Sequence, residues 1–108
     1  MLLRERRDAA VRAIQTADNR RRIAQETLDA VETVAGRAIL ERIAALHREA
    51  LNHLITSPDM TADRMMEARG RVRALEEVMN LPRIVEKEIA DTTSAIERGR
   101  SDLEKLSR

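Results

Sequence analysis

Apolar residues in the first half of the chain recur on a seven-residue cycle. Leu3, Ala10, Ile14, Ala17, Ala24, Leu28, Val31, Ala35 and Ala38 hold it, with Arg7 and Arg21 interrupting the stripe. After Gly36 the stripe runs through Ile39, Ile43, Leu46, Ala50 and Leu54, one residue out of phase, as a stutter in a coiled coil produces. This pattern predicts one helix over residues 2–55, about 80 Å long at 1.5 Å per residue. The segment "TSPDMT", residues 56–61, then brings Ser57, Pro58 and Asp59 together, which is turn and helix-cap chemistry between two helical patterns. A bend is expected there, with Ser57 and Pro58 as its hinge.

Beyond the turn, Met65, Ala68, Val72, Leu75 and Met79 alternate spacings of three and four, predicting a helix over 62–81. Pro82 follows. Proline cannot donate back to Val78 and clashes with that carbonyl, so the helix kinks or restarts at this candidate hinge. The last run, over 82–107, is the most regular heptad: Val85, Ile89, Thr92, Ile96, Gly99, Leu103 and Leu106, with Thr92 and Gly99 as its weak points. The two later helices together nearly match the first in length. The expected fold is therefore all-α, a single domain forming a long antiparallel helical hairpin, coiled-coil-like, with its second arm kinked or broken at Pro82. Met65–Met79 should lie against Val31–Leu54, and Val85–Leu106 against Leu3–Leu28. The candidate seam comprises Ile14, Leu28, Val31, Ile43 and Leu46 on the first arm and Val72, Leu75, Val85, Ile89, Ile96 and Leu103 on the second.

Composition sharpens this picture. Among 108 residues there is no Phe, Tyr, Trp or Cys, and 36% are charged. Aromatic side chains carry much of a globular core's buried area, so their absence argues for thin seams between helices. A monomer of this kind is weakly stabilised, and added burial against another copy or a larger protein is the available remedy. A homo-oligomer, or docking on a larger assembly, is the expected partnership. Without cysteine there are no disulfides, thiolate metal sites or cysteine nucleophile. No continuous apolar run suggests a signal peptide or a membrane span, so the sequence reads as a soluble, cytoplasmic protein with no membrane partner.

Charge excludes a global attraction to polyanions, since 20 basic and 19 acidic side chains leave a net +1. Only local clusters could grip nucleic acid. Arg20, Arg21 and Arg22 form one, and Arg69, Arg71 and Arg73 the other, within "EARGRVRALEEVMNLP". The second set spreads around its helix among Glu67, Glu76 and Glu77, which is the pattern of a solvated face. A DNA-recognition helix concentrates basic residues on one side. Arg21 falls on the seam, where it needs an acceptor such as Glu88 or Glu97 from the opposite helix. Pairs such as Asp8–Arg12, Glu67–Arg71 and Glu104–Arg108 stand at the spacing that supports a helix by a few tenths of a kcal/mol.

Catalytic constellations are sparse. His47 and His53 are six residues apart and do not share a helix face. The di-iron bundle pattern needs Glu three residues before His, where Ala44 and Ala50 stand. The three glycines are isolated, so there is no phosphate loop, and serine lacks an evident base. No catalytic residue, metal or cofactor is expected. Met60, Met65 and Met66 cluster near the turn, where methionine serves either as packing or as an adaptable contact.

The stretch "RGRVRALEEVMNLP", Arg69 to Pro82, resembles a segment of short helical proteins encoded among the head and portal genes of tailed bacteriophages. It covers about an eighth of the chain. The resemblance implies a virion or head-assembly component, bound to portal, capsid or packaged DNA in many copies. The functional expectation is a non-enzymatic structural or assembly protein that docks by its helices. Alternatives are a nucleic-acid-binding accessory factor and a coiled-coil regulator or chaperone.

Overall fold

The computed structural model describes residues 2–107. The fold class is all-α, an antiparallel helical hairpin with coiled-coil-like seams. Its elements are α1 (Leu2–Val31), α2 (Val34–Thr56), α3 (Ala62–Met79) and α4 (Leu81–Leu106). They pack as two compact units. One takes in α1 through Asp29 and α4 from Arg83 onward, and the other is Ala30–Pro82.

In the first unit α1 and α4 run antiparallel, as expected. Arg20 reaches Glu88 at 2.6 Å, and Gly99 packs on Ile14. The buried residues are Ala17 and Ala24 from α1 and Val85, Thr92, Ile96 and Gly99 from α4. Small residues on α1 face larger ones on α4, which lets the helix axes approach. Ile14, Leu28, Ile89 and Leu103 are half-buried along the same seam. The two expected weak points are among its tightest positions. Thr92 hides its hydroxyl by donating to the Glu88 carbonyl at 2.7 Å, so burial leaves no polar atom unsatisfied. Gly99 has no side chain because Ile14 occupies that space. Leu3, expected on the seam, is exposed at the end of the pair.

The second unit holds the correction to the first arm. The expected helix over 2–55 is broken at Glu32 and Thr33. Thr33 adopts an extended conformation (φ −68°, ψ 161°) and caps α2. Its hydroxyl donates to the Ala30 carbonyl at 2.6 Å and accepts from the Gly36 amide at 3.0 Å, tying the end of α1 to the start of α2. Gly36 is required at this corner. A β-carbon there would run into the backbone carbonyl oxygens of Ala30 and Val31.

The break also rephases α2. Its inward stripe is Gly36, Leu40, Ile43, His47, Ala50 and Leu54, all half-buried, whereas Ala35, Ala38 and Ile39 are exposed and Leu46 sits at the rim. Leu46 is thus a flanking residue rather than a seam residue. The corner restarts the helix with its own rotation, so a phase carried over from α1 is one residue off. Val31 stays half-buried beside the corner.

The α2–α3 turn falls at residues 57–61, containing Ser57 and Pro58 as expected. Thr61 caps α3 by accepting from the Arg64 amide at 3.3 Å. In α3 the expected stripe holds throughout: Val72 is buried, and Met65, Ala68, Leu75 and Met79 are half-buried. The second arm is broken rather than kinked. Asn80 (φ −87°, ψ 0°) closes α3, and Pro82 stands in the first turn of α4, where the missing N–H is no loss. Gly70 lies exposed in mid-α3 with nothing near a β-carbon placed on it. Gly70→Ala should therefore raise stability by about 0.5–1 kcal/mol through helix propensity alone, measurable as a higher urea midpoint at unchanged slope.

Candidate functional site

The arginine triplet is held by local partners. Arg20 crosses from α1 to Glu88 of α4 at 2.6 Å, Arg21 turns back to Asp18 at 3.0 Å, and Arg22 bonds the Asn19 amide oxygen at 2.6 Å. The expected pairing of Arg21 across the seam is therefore corrected. Arg20, one residue earlier, projects to the side of the pair where Glu88 stands, while half-buried Arg21 finds an acceptor one turn back on its own helix. Arg20 is largely exposed, so its ion pair contributes at most about 1 kcal/mol and acts more on register than on stability.

Arg69, Arg71 and Arg73 are all exposed on α3. At 100° per residue, Arg71 shares a side with Arg64, while Arg69 and Arg73 occupy the other, near Glu76. No single-sign stripe forms. Among the described residues, neither Asp8–Arg12 nor Glu67–Arg71 closes to an ion pair, and Arg108 of the third expected pair lies outside them.

Two open grooves share one side of the α2–α3 hairpin. The larger, about 500 Å³, runs by the turn and is lined by His53, Ser57 and Met60 together with Arg64, Glu67 and Arg71. A narrower one, about 270 Å³, continues it past Leu46, Glu49 and Ala50 of α2 and Leu75 of α3. Its floor is apolar and its rim carries both signs of charge, which suits another protein's side chains better than a polyanion. Of the three methionines near the turn, Met60 lines the groove, Met65 fills the seam and Met66 is exposed.

Both histidines have partners that periodicity alone did not show. His47 occupies an inward position of α2 and its Nε2–H donates to Glu76 Oε1 on α3 at 3.1 Å. The signal was available in principle, since residue 47 lies at four-three spacing between Ile43 and Ala50. Leu46, more apolar, stands beside it at the rim. His47→Leu should extend the apolar seam and raise stability by roughly 1 kcal/mol, because Glu76 is half exposed and regains water at little cost. Thermal melts of the variant check this.

His53 Nδ1 shares a hydrogen bond with Ser57 Oγ at 3.2 Å, one turn away at the end of α2. Serine thus has a histidine beside it. No carboxylate bonds the other ring nitrogen among the described residues, so the third member that orients a nucleophilic triad is missing. The pair closes the helix end. Glu49 lies one turn from His53 and on the same groove, yet no group of three or more metal-ligating side chains occurs among the described residues. No helix described here is long and apolar enough to cross a membrane.

Comparison with protein-family models, with curated proteins and with solved structures finds no match to this chain. The functional reading therefore rests on the geometry above.

Proposed function

We propose that this protein is a non-enzymatic structural or assembly component that works by docking its helix faces onto copies of itself or onto a larger protein complex. The observation that carries the reading is the imbalance between what the seams bury and what they leave out. Among the described residues, the buried apolar side chains are two alanines, two valines and Ile96, and no large side chain is completely buried. Meanwhile Val34 is 87% exposed, Ile55 78% and Met66 71%. Val34 and Ile55 stand at opposite ends of α2, so these are separate exposed side chains, and the reading rests on how little apolar surface the seams bury. The resemblance of Arg69–Pro82 to head and portal-region proteins of tailed bacteriophages points the same way, toward a virion or head-assembly role on portal or capsid.

The nucleic-acid reading is weakened by the triplet's side chains, which already hold Glu88, Asp18 and Asn19. Light scattering coupled to small-angle X-ray scattering, over a concentration series at two salt levels, tests the docking reading. An oligomer that persists at high salt is the expected result. A well-folded monomer that binds duplex DNA, with affinity falling steeply as salt rises, would contradict it.

A further inference from the structure

Both grooves of the α2–α3 hairpin open on one side of it, and the helical period places Ile39 and Arg42 of α2 and Val78 of α3 on that side, beyond them. Leu46, Ala50, Ala68 and Leu75 floor the narrower groove. Ile39 is 60% exposed, Val78 41% and Leu46 36%, so the apolar strip continues from the groove toward the corner at Thr33.

Six titratable side chains line the two grooves, and they stand opposite one another in unlike pairs. The His47–Glu76 contact sets the levels of the antiparallel helices. At those levels Glu49 of α2 stands across the narrower groove from Arg71 of α3. In the larger groove His53 stands across from Glu67, and Asp59 of the turn across from Arg64. Among the described residues, Glu49, Asp59, Arg64, Glu67 and Arg71 make no ion pair and no side-chain hydrogen bond. Glu67 is at helical spacing from both Arg64 and Arg71 and closes on neither. His53 uses Nδ1 on Ser57, which leaves Nε2 open to the groove.

That pattern is self-complementary. A half-turn about an axis lying along the grooves lays α2 of one copy on α3 of another, antiparallel and at unchanged height. Each α2 residue then meets the α3 residue that stands across the groove in its own copy. Glu49 meets Arg71 of the second copy, His53 its Glu67, Asp59 its Arg64 and Leu46 its Leu75. Within the grooves no like charges meet. Arg42, beyond them, has no acid opposite it and stays at the solvent edge beside Val78.

Resting on the docking reading above, we infer that a second copy of the same chain occupies this side of the α2–α3 hairpin, packing α2 on the second copy's α3 in a two-fold four-helix bundle. The area sets the strength. A face as long as the 18-residue α3, at 1.5 Å rise and about 20 Å across two helices, covers about 540 Å² per copy. The total of about 1,100 Å² lies at the low end for specific interfaces, so the dimer is weak and forms reversibly. Leu46 and Leu75 supply its apolar centre, and the paired charges fix its register.

Charge reversal tests the pairing. Glu49→Arg or Arg71→Glu alone brings like charges together twice across the two-fold axis, and each should weaken the dimer at least tenfold in sedimentation equilibrium. The circular dichroism spectrum should not change, because both side chains are exposed and neither has a partner within the chain. An equal mixture of the two variants should associate at least tenfold more tightly than either alone, since every such contact in the mixed dimer again joins opposite charges. The double variant, which keeps the net charge, should recover the parent's affinity. If the parent dimerises but the single changes leave it intact, or neither the mixture nor the double variant recovers what they lose, this face is overturned and the docking reading survives on another surface. If the parent is a folded monomer across the concentration series, the second copy is overturned as the occupant, and docking must involve a different protein.

Discussion

Gly36→Val lowers the stability of the fold by roughly 3 kcal/mol, at the upper end of the range for overpacking a tight site. A valine side chain begins with a β-carbon, and at this position that atom would lie 2.6 Å from the Val31 carbonyl oxygen and closer still to that of Ala30. Both obstacles are backbone, so no rotamer change relieves them. The corner must open, which breaks the hydrogen bonds that Thr33 makes to Ala30 and Gly36. Loss of the cap adds about 1 kcal/mol within that total. The chain also has an alternative, because residues 30–38 contain no proline and, in this variant, no glycine. A continuous helix across 31–36 should then compete, seen as reduced cooperativity in urea and as gained helical signal. A midpoint within error of the parent would show that the corner is not as tight as described.

The second large effect is expected at Gly99→Val in α4. Here the β-carbon would meet Ile14 Cγ1 at 2.5 Å and Cδ1 at 3.1 Å. The cost is about 2–3 kcal/mol, even though valine has the better helix propensity. Unlike the corner, this obstacle is a side chain. Combining Gly99→Val with Ile14→Ala should recover at least about 1 kcal/mol relative to the sum of the single changes, a coupling measurable by a double-mutant cycle in urea. Strict additivity would mean that the two residues are not in contact.

How far the sequence revealed this architecture depends on which part is considered. The α3 and α4 stripes and the α1–α4 and α2–α3 pairings follow directly from four-three spacing, because each helix presents a single apolar face. The turn at Ser57 and Pro58 follows from residues whose backbone chemistry has few alternatives, whereas Pro82 narrows its site to a kink or a restart without choosing between them. The corner at Thr33 was less legible. Its only trace was the phase slip after Gly36, and a phase slip has two physical causes, a stutter within one helix or a restart of a new one. Thr33 lacks a Glu or Gln three residues on, where Gly36 stands instead, so the usual reciprocal cap signature is missing. A stutter turns Ile39 and Leu46 inward, whereas the restart turns Leu40 and His47 inward. Thr92 and Gly99 looked weak because hydropathy ranks them low. In the packed pair Thr92 satisfies itself against its own backbone and Gly99 makes room for Ile14, neither of which a hydropathy scale encodes.

The candidate surfaces divide in the same way. The spread of Arg69, Arg71 and Arg73 around α3 was readable from the helical period. The partners of Arg20, Arg21 and Arg22 were not, since one residue of rotation decides whether an arginine crosses to α4 or folds back on α1. The grooves beside the α2–α3 turn needed the pairing geometry before their lining could be read.

We propose that stability in this protein is completed by helix docking between copies of the chain. Thermal unfolding followed by circular dichroism over a hundredfold range of protein concentration tests it most directly. The account predicts a Tm that rises with concentration, as mass action requires when association and folding are linked. A cooperative transition whose Tm stays constant across that range would contradict it.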